Sequence, residues 1–199
     1  MTTKKKAVST DQITGWVHSN FDGDYKISFN ADGEIVIEGS IMLNNHELKE
    51  LPYKFASVSG NFSIGGYRPQ DKIISQPTYA IETLKGCPDT VGGIFNCAFC
   101  HKLKSLEYGP RKAGRYFCNN CDLTSLQHIA MEITEGEVKA YGNNDLIDIA
   151  VLEAVKGLAT ADLDFCSDFM YGSDSYKRLC NENKIYGYRY SDGPSVASF

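Results

Sequence analysis

The chain has 199 residues, a net charge of −5, 23% charged and 42% hydrophobic residues, the balance of a single globular domain large enough for a sizeable core. The acidic balance argues against DNA binding, which needs a basic stripe to neutralise phosphates. No apolar run approaches the roughly 20 residues of a spanning helix, so no membrane association is expected.

In chain order, Met1 to Lys6 carries charge with no apolar stretch behind it, so it reads as a solvated tail and not as a secretory leader. Trp16, the only tryptophan, is expected to cover the first structural unit. Tyr25–Phe29 and Glu34–Glu38 alternate around Asn30-Ala31-Asp32-Gly33, a hairpin signal. Beyond it an internal repeat takes over. Gly39, Gly60, Gly93, Gly114 and Gly136 are spaced by 21, 33, 21 and 22 residues, the longest interval holding an insertion assigned to 66–80. With two prolines and polar flanks, that insertion reads as a loop leaving the repeat, a place where function often sits.

Two residues after each glycine stands Ile41, Phe62, Phe95, Tyr116 or Val138. Four after stands Leu43, Ile64, Cys97, Cys118 or Ala140. This period-two pattern marks a strand with one buried face. Ile149–Leu158 reads as a helix stopped near Gly157. A sixth strand follows, with Leu163 and Phe165 alternating and Asp168 near the turn position. Ser173 or Asp174 caps a helix running to about Asn183. Tyr186, Tyr188 and Tyr190 alternate in a strand-like tail, either packed on the last unit or exposed.

Cys97-Ala-Phe-Cys100 and Cys118-Asn-Asn-Cys121, with seventeen residues between them, have the spacing of a four-thiolate zinc site. Yet Leu43, Ile64 and Ala140 fill the position of Cys97 in other units, and a position that accepts Leu or Ile is a packing position. Packing is therefore the preferred reading, with no cofactor; zinc on Cys97, Cys100, Cys118 and Cys121 is the alternative. Seven cysteines, an odd number, fit free thiols in a reducing, cytoplasmic setting. Gly92-Gly93 is no phosphate loop, and no Ser-His-Asp order or carboxylate pair points to catalysis, so no enzyme activity is expected.

Leu84-Lys-Gly-Cys-Pro-Asp-Thr-Val-Gly-Gly-Ile-Phe-Asn-Cys97 and Gly114-Arg-Tyr-Phe-Cys-Asn-Asn-Cys-Asp-Leu-Thr-Ser-Leu126 carry a resemblance. The chain resembles leucine-rich repeats, in particular the short cysteine-containing repeats often encoded by bacteriophages. The resemblance is specific over 84–126 and looser on either side. It implies a strand-rich α/β chain: a right-handed leucine-rich-repeat-like solenoid with a parallel sheet of about 5–6 strands, an N-terminal hairpin cap (1–38), repeats (39–168) and a C-terminal helical cap (169–199), all one domain. It also implies that the seventh position after each glycine points inward and bonds backbone. Asn143, Cys100 and Cys121 fit that role; His46 and Tyr67 depart from it.

The residues between the buried ones define an outward face, and solenoids bind through such surfaces. Met42, Ile94, Asn96, Arg115, Phe117, Asn119, Lys139 and Tyr141 are the candidates there, joined by Tyr67 and Arg68 of the insertion. Exposed aromatic and arginine side chains are typical binding anchors. The expectation is a non-enzymatic protein that engages a macromolecular partner, most naturally a protein. Association with phage repeats extends it to an inhibitor of a host defence or regulatory protein. The alternative partner is a small nucleotide-like ligand stacked on Tyr67, Phe117 and Tyr141 and neutralised by Arg68 and Arg115.

Overall fold

A computed structural model describes residues 8–66, 79–182 and 184–186, the last through its backbone. Helix α1, Thr10–Asn20, comes first and was not expected. It is set by a capping box: Gln12 N–H donates to Ser9 Oγ at 3.3 Å, and Ser9 N–H donates to Gln12 Oε1 at 3.0 Å. Its Val17 is buried, and Trp16 meets Phe21 and Tyr53 edge-on at ring-centroid distances of 6.0 and 5.3 Å.

Strands β1, Phe21–Phe29, and β2, Ile35–Leu43, pair antiparallel from Phe21↔Leu43 to Phe29↔Ile35. Asn30 Oδ1 holds the connecting turn by accepting from Asp32 N–H (3.1 Å) and Glu34 N–H (2.9 Å). The hairpin is longer than its sequence signal. β2 runs on through Gly39 and is itself the strand of the first repeat.

The following strands are β3, Phe55–Val58; β4, Phe62–Ser63; β5, Thr90–Asn96; β6, Lys112–Phe117; β7, Glu132–Ile133; β8, Glu137–Lys139; β9, Thr160–Asp162; and β10, Ile185–Tyr186. With β1 and β2 they form one ten-stranded sheet, parallel from β2 onward. The chain is a strand-rich solenoid of about five turns. β3 and β4 both pair with β5, and β7 and β8 both pair with β6, because in those two turns the strand is interrupted around Gly60 and Gly136, while β5 and β6 run unbroken through Gly93 and Gly114. At Gly92-Gly93 the register slips by one residue: Val91 faces Ala113, while Ile94 faces Arg115.

The register matches the glycine phase. Ile41, Phe62, Phe95, Tyr116, Val138, Ala161 and Ile185 form one rung line. All are buried, as are Leu43, Ile64, Cys97, Cys118, Ala140 and Leu163 two residues on. Aromatic contacts run through the core from Phe62 to Phe95 (6.1 Å, planes at 9°) and from Phe95 to Tyr116 (4.9 Å).

Two expectations shift towards the C-terminus. Ile149–Leu158 is not an α-helix; only Ala150–Ala154 forms a short 3-10 turn. The chain leaves it because Lys156 joins the next turn, its N–H donating to Met131 O and its carbonyl accepting from Ile133 N–H, both at 2.9 Å. Gly157, at φ +80°, supplies the exit. The sixth repeat strand is β9, with Ala161 and Leu163 inward, so Cys166 and not Asp168 takes the turn position. Phe165 is exposed. Helix α2, Asp168–Tyr171, and helix α3, Asp174–Asn181, follow, α3 capped by Ser173 as expected. Arg178 grips Glu153 at 2.8 and 3.0 Å, tying α3 to the 3-10 turn. Tyr67 and Arg68, nearly all of the 66–80 insertion, and Tyr188 and Tyr190 lie outside the described residues. No described helix is long and apolar enough to cross a membrane.

Candidate functional site

The seventh-position ladder explains how neighbouring turns are joined. Cys100 Sγ donates to Ile64 O at 3.7 Å, Cys121 Sγ to Cys97 O at 3.2 Å, Asn143 Nδ2 to Cys118 O at 3.0 Å, and Cys166 Sγ to Ala140 O at 3.5 Å. Each acceptor is the second inward residue of the preceding turn, so one side chain per turn satisfies a buried carbonyl. Asn143 does most: it also donates to Ala140 O at 2.6 Å and accepts from Leu123 N–H at 3.2 Å. The thiols of both CxxC pairs thus lie in core and ladder positions. His101 does not meet Cys100; its Nδ1 lies 3.7 Å from Asp122 on the surface. No group of three or more His, Cys, Asp or Glu side chains among the described residues is arranged to hold a metal ion.

Burial pushes the thiols of Cys87, Cys97, Cys100 and Cys118 well up, and that of Cys166 up to about 12. A thiolate reagent at pH 8 should therefore modify Cys180 alone, the one cysteine that is not fully buried, and reach all seven only in denaturant. The sign of the pH effect follows. Unfolded thiols ionise near 9 while the folded ones keep their protons, so stability is full below pH 9 and falls as pH rises towards 12, by up to about 1.4 kcal/mol per unit for each such thiol. The urea midpoint should drop between pH 8 and pH 10; an unchanged midpoint would contradict this burial.

On the outward face, pairing across the sheet sets two rows. One runs Asp22, Met42, Ser63, Asn96, Phe117, Lys139, Asp162. The other runs Asp24, Ser40, Asn61, Ile94, Arg115, Glu137, Thr160, with Asn61 joined to Ile94 through the bond between its Oδ1 and Ile94 N–H. Between the rows over β1 to β6 lies a depression of about 510 Å³, in which Met42, Ile94, Asn96 and Phe117 converge. Asp22 and Asp24 form one side of it.

The depression is held in shape by polar side chains that satisfy one another. Asn61 Oδ1 accepts from Ile94 N–H at 2.8 Å, Asn61 N–H donates to Ser40 Oγ at 2.9 Å, and Asn96 Nδ2 donates to Ser63 Oγ at 3.0 Å. Asn96 is thereby buried, and its Oδ1 also takes Ala98 N–H at 3.0 Å. The apolar surface left open belongs to Met42 and Ile94, with Phe117 as floor at 6% exposure.

Charge is divided along the face. Asp22 accepts from Asn44 Nδ2 at 3.0 Å, and no cation lies within ion-pair distance of Asp22 or Asp24 among the described residues. At the other end Arg115 is engaged by Glu135 (2.7 Å) and Glu137 (3.5 Å). Lys139 sits 4.8 Å above the Phe117 ring and 3.6 Å from Glu137. The two cations are thus engaged by glutamates, Arg115 by those of the following turn and Lys139 by Glu137 on its own strand, and Phe117 is roofed by Lys139. Asn119 is buried and its side-chain nitrogen has no hydrogen-bond partner among the described residues, while Tyr141 is half-buried; neither lines the depression. The two aspartates escaped notice because β1 was expected to begin at Tyr25. The alternation Phe21-Asp22-Gly23-Asp24-Tyr25 was the signal for them.

No family model, no curated protein and no solved structure matches the chain.

Proposed function

We propose that this chain is a non-enzymatic binding protein that engages a protein partner through the outward face of its parallel sheet. The observation that carries the reading is the convergence of Met42, Ile94, Asn96 and Phe117 in one pre-shaped depression beside Asp22 and Asp24. An apolar floor fixed by internal hydrogen bonds loses little freedom on binding. The carboxylates of Asp22 and Asp24, with no cation within ion-pair distance among the described residues, favour a partner that presents a basic side chain next to an apolar one.

The finer assignment rests on resemblance. Buried Leu84, Leu103, Leu106, Leu123, Leu126 and Leu146, with Cys or Asn at the ladder position, support repeats of the leucine-rich-like type, and the cysteine variant supports a phage origin. On that basis the protein acts in the cytoplasm of an infected bacterium as an inhibitor of a host defence or regulatory protein. Affinity capture from bacterial lysate tests it. The wild-type chain should retain a stoichiometric protein that Ile94→Glu and the Asp22→Lys/Asp24→Lys pair lose by at least tenfold. Absence of a retained protein, or equal retention by both variants, would refute the reading.

A further inference from the structure

A second site lies at the edge where each turn enters its strand. Three successive turns close there in the same way: Cys87 N–H donates to Leu84 O at 2.9 Å, Gly109 N–H to Leu106 O at 3.0 Å, and Ile129 N–H to Leu126 O at 3.0 Å. The third residue of each is left-handed: Gly86 (φ +88°), Tyr108 (φ +68°) and His128 (φ +70°). One turn earlier, Leu51-Pro52-Tyr53 occupies the same place. Tyr53, Gly86, Tyr108 and His128 therefore form a column with one residue per turn, about 4.8 Å apart.

Gly86 leaves its rung empty, and the backbone requires that. A Cβ there would lie 2.7 Å from Leu51 Cβ and 2.9 Å from Tyr53 O, on a left-handed residue. Tyr53 and Tyr108 thus stand on either side of a rung that presents only backbone to the cavity. A planar ring lying over Gly86 within the cavity would have the side chains of Tyr53 and Tyr108, which line the same space, as aromatic neighbours. Trp16 already buttresses Tyr53 from behind, edge-on at 5.3 Å.

The cavity around the column measures about 790 Å³, the size of a small-molecule site. Its charged residues are Lys54, Lys85 and Arg111 against Asp89 alone, an excess of two positive charges in a chain whose net charge is −5. Asp89 holds Lys54 at 2.7 Å and meets Arg111 at 3.4 Å. Lys85 has no carboxylate within ion-pair distance among the described residues, and Arg111 is 82% exposed. Two cations therefore stand in the lining beside Tyr53, Gly86 and Tyr108. The sheet face has the opposite character, with apolar floor and carboxylate wall.

We propose that this groove binds a nucleoside phosphate, its base between Tyr53 and Tyr108 over Gly86 and its phosphates on Lys85 and Arg111. The proposal is independent of the sheet-face reading, since the two sites share no residue. Calorimetric titration of the full chain with ATP, adenosine and tripolyphosphate tests it. ATP should bind at least tenfold more tightly than adenosine or tripolyphosphate, because only ATP uses both halves of the site. Tyr108→Ala and Lys85→Glu/Arg111→Glu should each weaken ATP at least tenfold, while Lys102→Glu, an exposed charge outside the groove, leaves it unchanged. All the substituted side chains are exposed, so the fold survives. No ATP binding at millimolar concentration, wild-type affinity in either groove variant, or tripolyphosphate binding as tight as ATP would overturn the proposal.

Discussion

Phe95→Ala is expected to destabilise the chain by about 3–5 kcal/mol, close to the whole stability of a typical domain at the upper end. Phe95 is fully buried midway along the aromatic file, parallel to Phe62 at 6.1 Å and 4.9 Å from Tyr116. Its removal takes a large apolar side chain from the core and leaves a cavity that the two flanking turns cannot close. Those turns are tied by main-chain ladders on both sides, Phe62↔Phe95 and Phe95↔Tyr116, which fix their spacing. Val138→Ala, at the equivalent position three turns from Phe62, removes less volume and should cost about 1–3 kcal/mol. Urea unfolding read by circular dichroism gives both numbers. Equal losses would show that the rung line is not one continuous core.

Asn143→Ala is the second large effect. The side chain is fully buried and makes three hydrogen bonds, to Cys118 O, Ala140 O and Leu123 N–H. Truncation leaves Cys118 O and Leu123 N–H without this partner in a dry interior and Ala140 O with the Cys166 thiol alone, at about 1–3 kcal/mol for each orphaned group and about 3–5 kcal/mol in all. The neighbouring turns supply an internal control. Cys100, Cys121 and Cys166 hold the same place with a single thiol donor reaching the preceding turn. Asn143→Cys should therefore recover the bond to Cys118 O and lose only about half as much as Asn143→Ala. Equal losses from both substitutions would remove the thiol from the list of competent ladder donors.

Those two residues also show what could be read before the fold was known. The phase of Gly39, Gly60, Gly93, Gly114 and Gly136 placed Ile41, Phe62, Phe95, Tyr116 and Val138 on one line, and the strand register places them there. Local chemistry sets this phase: a residue with no side chain where adjacent backbones crowd. A Cβ on Gly60 would lie 2.6 Å from Gly39 O, and one on Gly114 2.7 Å from Gly93 O. The reading failed where that marker was missing. The sixth unit has Ala159 in place of glycine, so the expected inward pair, Leu163 and Phe165, with Asp168 at the turn, lies two positions late; the structure has Ala161 and Leu163 inward and Cys166 at the turn. Helix propensity over Ile149–Leu158 lost to the ladder bonds of Lys156, a long-range pairing invisible to a local pattern. Helix α1 carried two legible signals, the Ser9–Gln12 cap and the short stripe of Ile13, Trp16 and Val17 at helical spacing.

The candidate face was legible as rows of outward residues, but its electrostatics were not. Arg115 and Lys139 look available in a linear pattern; in space Glu135 and Glu137 stand beside them. Asp22 and Asp24 arrive from an antiparallel strand that lies outside the repeat, so no repeat alignment could bring them to Met42 and Ile94.

Site-specific photo-crosslinking measures the central claim directly. A benzophenone side chain placed at position 94, in the depression, should form a covalent adduct with one protein in bacterial lysate. The same group at position 147, where Ile147 is exposed outside the depression, should form none. An adduct at 147 with none at 94, or none at either position, would contradict a partner seated on the sheet face.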